Sequence, residues 1–573
     1  MGEPPAGGRA TWWSHAAGEV PVQGSIRRFT VLVAAALIVA LTLGAGLSSA
    51  APAAKKLTRE QVAAKLLRLQ NGRLFSSNAR LGLQAIINGG GHEVAASGRG
   101  LAPGQLKKAS GGLAAPPSGG LPNVRVNDPG ADTHQPDQTT QSETTIAVAG
   151  TKVAVGYNDS QQTLQPFVVA SADLSGYAYS TDGGGSFTDG GALPLTPEFI
   201  NFGDPWLASD RSGAMYYSQL QFDYFNFNLD IGVAKSTNGG KTWSSPQPIT
   251  RPPFEIFYTG DKEAMTVGPD PVQKSRDNVY VAWDDFFFDL NTCTDVSCPT
   301  LIGLPVARST DGGQTWSVVY ADRFSSDVDS GCSFQQYIGA QPIVDPQNGN
   351  LFVSAERIAV DDPNCEGGTL TFDISIFKST DGGQTFGPRV KIADVTSSFP
   401  NGVLNLGPSQ YIRNLELPAM AFAGNALFVA WNDGASGHSH IRIARSTNGT
   451  SWQLSSATQG SNDEFQPALS GDSSGLHLLY YLRNNDNTLD VVVANSTNGN
   501  SFVARRVTTQ SFTGVSTFPQ FDPIIAFTYM GDYIANVSDG SHEYFAWGDN
   551  RDKVTNFLWP TGRNDPDVFF AKQ

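Results

Sequence analysis

The chain has 573 residues and a formal charge of −15, but that charge is unevenly split. Through Gly120 there are 13 Lys/Arg against 4 Asp/Glu, and from Leu121 onward 25 against 49. The long acidic part excludes a nucleic-acid binder, which needs clustered cations to displace phosphate counterions, and 61 Gly and 34 Pro with only 16% charged residues exclude a helical bundle or coiled coil.

Arg27 and Arg28 precede an uncharged run from Phe29 to Ala54, apolar through Leu47 and ending in the small residues Ser48-Ser49-Ala50-Ala51-Pro52. Residues 1–50 therefore read as a signal peptide, with an uncleaved N-terminal membrane anchor as the alternative, since the run is long enough to span a bilayer. Residues 51–88 read as a short helical segment. Thr58 and Gln61 make a capping box, and Val62, Leu66, Leu67 and Leu69 share one side. Residues 89–120, rich in Gly, Ala, Ser and Pro, read as a flexible linker. The basic charge up to this point reads as a solvated stalk.

Residues 121–573 carry a repeat. It reads Ser180-Thr-Asp-Gly-Gly-Gly-Ser-Phe187, Ser236-Thr-Asn-Gly-Gly-Lys-Thr-Trp243, Ser309-Thr-Asp-Gly-Gly-Gln-Thr-Trp316 and Ser379-Thr-Asp-Gly-Gly-Gln-Thr-Phe386, then Ser446-Thr-Asn-Gly-Thr-Ser-Trp452 and Ser496-Thr-Asn-Gly-Asn-Ser-Phe502. Asp or Asn tolerates left-handed φ and bonds its own backbone, and Gly permits positive φ. Ser/Thr hydroxyls close the turn, so each copy is a tight hairpin after an alternating strand such as Ile231–Lys235. The repeat resembles the Asp-box (BNR) repeat of the sialidase superfamily of β-propellers. In that family the box is structural and lies on the face away from the active site.

Two further strands precede every box. The inner one recurs from Glu143-Thr-Thr-Ile-Ala147 and Asp204-Pro-Trp-Leu-Ala208 to Gln466-Pro-Ala-Leu469 and Asp532-Tyr-Ile-Ala535, seven times against six boxes. The chain stops at Asp567–Ala571, where a box would follow, and Asn123–Asn127 can supply the missing outer strand. The expected fold is all-β: a seven-bladed propeller of four-stranded antiparallel blades, closed by that N-terminal strand joining the last blade and so leaving no edge. Six blades is the alternative.

With the boxes at one end of the strands, the loops at the other end form a mouth around the channel. They carry Glu143, Asp204, Asp261, Glu263, Arg413, Glu416 and Asp532 before the inner strand. After the second strand they carry Asp159, Asp284, Asp285, Glu356, Arg357, Asp433, Arg483, Asp549 and Arg551. These are the candidate binding residues, with Tyr533 beside Asp532 and Tyr411 near Glu416 as the tyrosines in reach. The bland reading is that each carboxylate caps a strand end or pairs with a neighbour.

Sialidase chemistry, as the resemblance implies it, needs three arginines around the sugar carboxylate, a Tyr nucleophile helped by Glu, and an Asp acid/base. The family's first arginine stands on the first inner strand, where this chain has Gln141-Ser-Glu-Thr-Thr-Ile-Ala147 with an acid instead. That puts negative charge where an anionic sugar would bring its own, so no catalytic residue is assigned. The expected function is a non-catalytic, exported module binding a glycan or a cell-surface protein at the mouth. A glycoside hydrolase, of exo-α-sialidase type or using a carboxylate pair on another glycan, is the alternative.

No nucleic-acid partner is expected, and membrane contact only through an uncleaved N-terminal segment. The location is extracytoplasmic, secreted or tethered at the cell surface. No cofactor is required. Ca²⁺ is possible at carboxylate loops such as Asp284-Asp285 and Asp327-Val-Asp329. Cys293, Cys298, Cys332 and Cys365 form an even set suited to disulfides in an exported protein, with Cys293–Cys298 and Cys332–Cys365 as the favoured pairing.

Overall fold

The computed structural model describes residues 54–68, 75–87, 119–132, 139–161, 173–327, 333–361, 370–399, 402–407, 410–516, 530–557 and 559–573. The signal or anchor segment, nearly all of the linker, Asp329, Cys332 and Cys365 lie outside them. Residues 54–573 form one compact unit. Among the described residues no helix is long and apolar enough to cross a membrane.

The architecture is all-β, with several four-stranded antiparallel sheets made of consecutive strands. The first sheet runs Gln141–Ala149, Lys152–Asp159, Ser175–Ser180 and Thr188–Ala192 in spatial as in chain order. The same four-step meander recurs over Ser333–Asp394, Ala419–Ser456 and Glu464–Arg506. The second and third units share one nine-stranded sheet, because Leu229 and Thr259 make a parallel bridge between them. In the last sheet the outermost strand comes from the other end of the domain. Val124–Arg125 pairs with Arg563–Lys572, Val124 opposite Phe570. Asn127 fixes that register, its Nδ2 donating to Asp567 Oδ1 at 2.8 Å while its Oδ1 accepts Val568 N at 2.9 Å.

The Ser-Thr-Asp/Asn-Gly turns have one shared geometry. In the first, Ser180 Oγ donates to Asp182 Oδ1 (2.7 Å) and accepts Gly184 N (2.9 Å), while Ser186 N donates to Asp182 Oδ1 (3.1 Å). Corresponding bonds recur at Ser236/Gly240, Ser309/Gly313, Ser379/Gly383, Ser446/Gly449 and Ser496/Gly499. Two needs meet in the turn glycine. Gly184, Gly449 and Gly499 have φ of +89°, +78° and +75°, and a Cβ on them would stand 2.2, 2.3 and 2.3 Å from Phe570, Phe352 and Phe428. Those rings belong to the sheet before each turn in the chain and, for the first turn, to the last sheet. The turns therefore lock neighbouring sheets together as well as closing hairpins.

Helix α1 (Arg59–Arg68) opens with the reciprocal capping box, Thr58 N donating to Gln61 Oε1 at 3.0 Å and Gln61 N to Thr58 Oγ1 at 3.4 Å. A second helix, α2 (Ser77–Ile87), follows. The pair is no free-standing stalk. Val62, Leu66, Phe75, Ala79 and Leu83 are buried in one core with Leu229, Phe257, Phe286 and Phe288 of the second and third units. The sequence reading missed this because a short amphipathic helix does not say what its apolar side meets.

The chain just before α1 is held by the loop that the Cys293–Cys298 disulfide closes. Leu57 N donates to Cys293 O (3.1 Å), and Lys55 N to Asp295 Oδ1 (2.7 Å). Because Phe75 is fully buried against Phe286, with ring centroids 5.3 Å apart, Phe75→Ala should destabilise the whole body by about 3–5 kcal/mol. Chemical denaturation followed by tryptophan fluorescence would measure this, and an unchanged midpoint would mean the helices do not belong to the cooperative unit.

Candidate functional site

The inner strands begin with a backbone irregularity that aims side chains inward. Glu143, Lys262 and Gln466 each sit at a register shift, with φ of +51°, +51° and +50°, and Asp204 starts the second unit's inner strand at +53°. A bulge with an unpaired residue in left-handed geometry re-aims its side chain. Such φ is costly for a residue with a Cβ and persists only where the surroundings hold it. Gly339 (φ +66°) takes the place in the fourth unit. In the last unit Gly531 (φ +93°) leaves no room for more than hydrogen, since a Cβ there would stand 2.6 Å from Glu143 N.

Three of these residues and Asp532 meet in a buried knot. Lys262 Nζ pairs with Asp532 Oδ2, lies 3.3 Å from Glu143 Oε1 and 3.7 Å from Asp204 Oδ2, and sits 5.7 Å from the Tyr533 ring centroid. Glu143 also accepts Asp532 N (2.9 Å) and Asn158 Nδ2 (2.8 Å). Burial opposes the charge on Lys262, but Asp532, Glu143 and Asp204 overrule it and hold the ammonium protonated well above its ordinary range. Burial likewise pushes Asp532 up, yet Arg413 and Lys262 outweigh it and keep that carboxylate ionised. Glu143 goes the other way: burial and then the Asp204 charge push it up to about 8.

The knot is roofed. Ser76 N, at the start of α2, donates to Asp261 Oδ2 at 2.6 Å, and Arg413 Nη2 donates to Phe75 O at 2.7 Å. Arg413 comes from a hairpin, Val403–Gly407 with Gln410–Arg413, that pairs with Val515–Ser516 in a small sheet of its own. It also reaches Asp532 Oδ1 with Nε at 3.2 Å. The open acidic mouth expected from the sequence is thus covered at its centre by the helical pair and this hairpin, which touch at Arg413.

The other expected residues are spread out. Arg357 bonds Asp373 (3.3 Å), Arg483 bonds Asp463 (2.9 Å), and Arg551 bonds Asp549 (2.5 Å) and Asn123 (3.0 Å). Each of these arginines serves its own sheet or, at Asn123, the joined terminal strand, so of the four expected arginines only Arg413 reaches the centre, where Arg80 of α2 lies close enough to act on it and on Asp532. Tyr533 OH donates to Pro205 O at 2.8 Å, and burial, with Glu143 next in size, pushes its hydroxyl well above the ordinary range. That is a structural tyrosine, not an activated nucleophile. The Tyr411 side chain lies outside those described. Glu416 Oε1 caps the 397–398 turn, accepting Ser398 N at 2.7 Å. Asp159 Oδ1 accepts Gln161 N (3.0 Å) and Gln141 Nε2 (3.2 Å), and Asp285 Oδ2 accepts Tyr320 OH (2.7 Å). Asp433 Oδ2 accepts Thr396 N (3.0 Å), and Glu356 is buried inside its sheet.

Asp284, buried beside Asp261, takes Gln336 Nε2 at 3.2 Å, and burial followed by the Asp261 charge raises it strongly. Glu263 is buried with no hydrogen-bond partner on either oxygen, and burial, then the Asp204 charge, raises it well above its ordinary value. Below the knot a cavity of about 110 Å³ is bounded by strands of every unit, including Thr145, Trp206, Glu263, Gln341, Pro418 and Ala468. Among the described residues no set of three or more His, Cys, Asp or Glu is arranged to hold a metal ion.

Lys262 escaped the sequence reading. Its signal was a lone cation between Asp261 and Glu263 at the head of an inner strand, where only the two acids were taken as candidates.

No protein-family model matches the chain, and no curated protein matches it. Solved structures do. A protein of unknown function from Dyadobacter fermentans aligns at 12% identity and TM-score 0.39, over 78% of this chain and 97% of that one. A Hadza microbial sialidase aligns at 14% and 0.36, over 70% and 74%. An α-L-arabinofuranosidase from Fusarium graminearum aligns at 13% and 0.39, over 63% and 93%. Identities this low and superpositions this loose carry no residue's role across.

Two outcomes follow from the knot. Lys262→Met strands buried carboxylates without their cation and should cost about 3–5 kcal/mol by denaturant titration. Glu143 has a higher pKa folded than unfolded, so its contribution is complete below about pH 4.5 and is lost as pH rises through about 8. Wild-type stability should therefore carry a falling component across that window, and Glu143→Gln should flatten it. An identical pH slope in the two proteins would contradict the assignment.

Proposed function

We propose that the chain is an exported, non-catalytic binding module built on a closed, seven-bladed Asp-box propeller of the sialidase-like type, meeting a glycan or a protein on its roofed mouth face. The sequential sheets, the pairing of Val124–Arg125 with the last strand, and the first turn's packing against Phe570 support seven blades and closure. The six Ser-Thr-Asp/Asn-Gly turns support the Asp-box reading. The Cys293–Cys298 disulfide is consistent with an oxidising location.

One observation carries the functional reading. Where an anionic sugar would need free arginines, Lys262 is already committed to Asp532, and Arg413 is engaged by Asp532 and the Phe75 carbonyl, with Arg80 of α2 near both groups. Electrostatic catalysis needs groups that stay available for charge developing in the transition state; these are engaged in the resting fold. Ligands would then meet the rim around the roof.

Glycoside hydrolysis by a carboxylate pair is the second reading, and Glu263 is what favours it. A carboxyl kept neutral by burial is what a general acid requires, and this one has no internal partner.

A panel of fluorogenic sialosides and neutral glycosides separates the two readings. We expect no turnover above buffer, together with retention of selected sugars on a glycan array or capture of a surface protein. Turnover that disappears in Glu263→Gln would replace the binding reading with the hydrolytic one.

A further inference from the structure

Three second strands end in the same Trp-x-Asp pattern, at Trp283, Trp431 and Trp547. In two of them the indole is served within the fold. Trp283 Nε1 donates to Tyr258 OH at 2.6 Å, and Trp547 Nε1 to Asp549 Oδ2 at 2.8 Å. The fifth unit differs. Asp433 turns both oxygens to backbone amides, Oδ2 accepting Thr396 N at 3.0 Å and Oδ1 accepting Ala435 N at 2.9 Å. Trp431, only 1% exposed, keeps an Nε1 with no hydrogen-bond partner. A buried donor left unsatisfied is costly, so this N–H favours an acceptor from outside the body.

Directly opposite Trp431 on the next strand stands Arg442. Cross-strand partners share a face, and this face turns toward the fourth unit. Trp431 and Ala444 pack with Ile374, Ile376 and Ile392, whereas Ile441 and Ile443 pack with Leu478 of the sixth unit. Arg442 Nε is buried without a partner, and its guanidinium makes no hydrogen bond or ion pair among the described residues. Arginines nearby behave otherwise: Arg389 closes on Asp373 at 3.0 Å and Arg506 on Asp490 at 2.6 Å. Trp431 and Arg442 line a groove of about 360 Å³ between the two units, walled opposite by Lys391, Ile392, Asp394 and Thr396. Leu454, 47% exposed, lines it too. The volume falls within the range of small-molecule sites.

The acids around the groove are engaged. Asp394 pairs with Lys391 at 2.8 Å, and Asp433 is capped by its two amides. Asp373, across the strand from Asp394, is shared by Arg357 and Arg389. His440, opposite Asp433, is paired with Glu464 at 2.6 Å. Apart from that pair, the cations Lys391, Arg442, Arg357 and Arg389 stand against the carboxylates of Asp373, Asp394 and Asp433, a surplus of one positive charge. A monoanion balances that surplus and a dianion exceeds it. A planar guanidinium with free donors takes a carboxylate through two parallel hydrogen bonds.

We propose that the groove between the fourth and fifth units is a carboxylate-binding site. Arg442 holds the carboxylate, Trp431 Nε1 donates to an oxygen of the same ligand, and Leu454 covers its apolar side. The site lies at the mouth end of the strands, where Trp431 stands two residues before Asp433. It deepens the binding reading above and rests on it, giving the rim a place and a ligand class.

The test titrates the full chain, isotope-labelled at tryptophan, with D-glucuronate, propionate, D-glucose 6-sulfate and D-glucose while the indole N–H resonances are read. Glucuronate should shift one signal saturably, the one absent from Trp431→Phe. Glucose, which lacks the charge, should bind at least about tenfold more weakly. Arg442→Met should weaken glucuronate by at least about the same factor at an unchanged melting temperature, since no internal bond is lost. The control Arg505→Met removes an exposed cation from the sixth unit and should leave the titration unaltered. Propionate as tight as glucuronate would support the site and assign it to short organic acids; tighter glucuronate would assign it to acidic sugars. A Trp431 signal unmoved by either carboxylate, an affinity unchanged in Arg442→Met, or equal or tighter binding of the glucose or the sulfate would overturn the proposal. Retention of neutral glycans on an array beside such a result would leave the binding reading standing, so the two fail separately.

Discussion

A charged amine buried at the centre of an all-β body is costly to desolvate, and it is stable there only if its counter-charges are held with it. Lys262 meets that condition with carboxyl groups from three other units: Glu143 from the first, Asp204 from the second and Asp532 from the last. The requirement runs both ways, since Asp532 stays ionised in the interior only because Arg413 and Lys262 outweigh its burial. The first, second, third and last units are thereby tied at one point. Elsewhere these units meet through apolar packing and single hydrogen bonds such as Leu207 N to Thr145 Oγ1 at 2.8 Å.

The left-handed backbone at Glu143, Asp204 and Lys262 follows from that tie. An ordinary strand alternates its side chains across the sheet, and neither face of an inner strand points along the central axis. A bulge breaks the alternation for one residue and aims it inward. Where no side chain is wanted at the equivalent position, Gly339 and Gly531 keep the irregular backbone without filling the space. The arrangement also bears on chemistry. Groups that satisfy one another inside the fold are engaged before any ligand arrives, which suits a scaffold, whereas a catalytic centre needs groups left poised for an incoming substrate. Glu263 is the exception, buried beside the knot without a partner of its own.

Much of the sheet architecture could be read from residue order because its signals are local. The Ser-Thr-Asp/Asn-Gly turn closes on bonds within a few residues, as at Ser180, Asp182 and Gly184. The α1 capping box is equally local, and the Cys293–Cys298 loop spans only five positions. The match between Asn123–Asn127 and the last strand was legible too, since an outer strand was missing at one terminus and spare at the other. The site was far less legible. Its carboxylates could be assigned to one end of the strands, but nothing local says that Arg413 turns to Phe75 while Arg357, Arg483 and Arg551 stay with their own sheets.

The sequence by itself determined the all-β class, the repeated turn, the order of strands within each sheet and the acidic character of one strand end. Each of these rests on contacts short in sequence or on composition. Tertiary structure alone decided that a lysine sits among those acids and that the helical pair covers them. Those outcomes depend on pairs such as Ser76 with Asp261 and Lys262 with Asp532, 185 and 270 positions apart. Which buried charge meets which is settled by the free energy of the packed whole, where desolvation must be offset locally, and no window of sequence contains both partners.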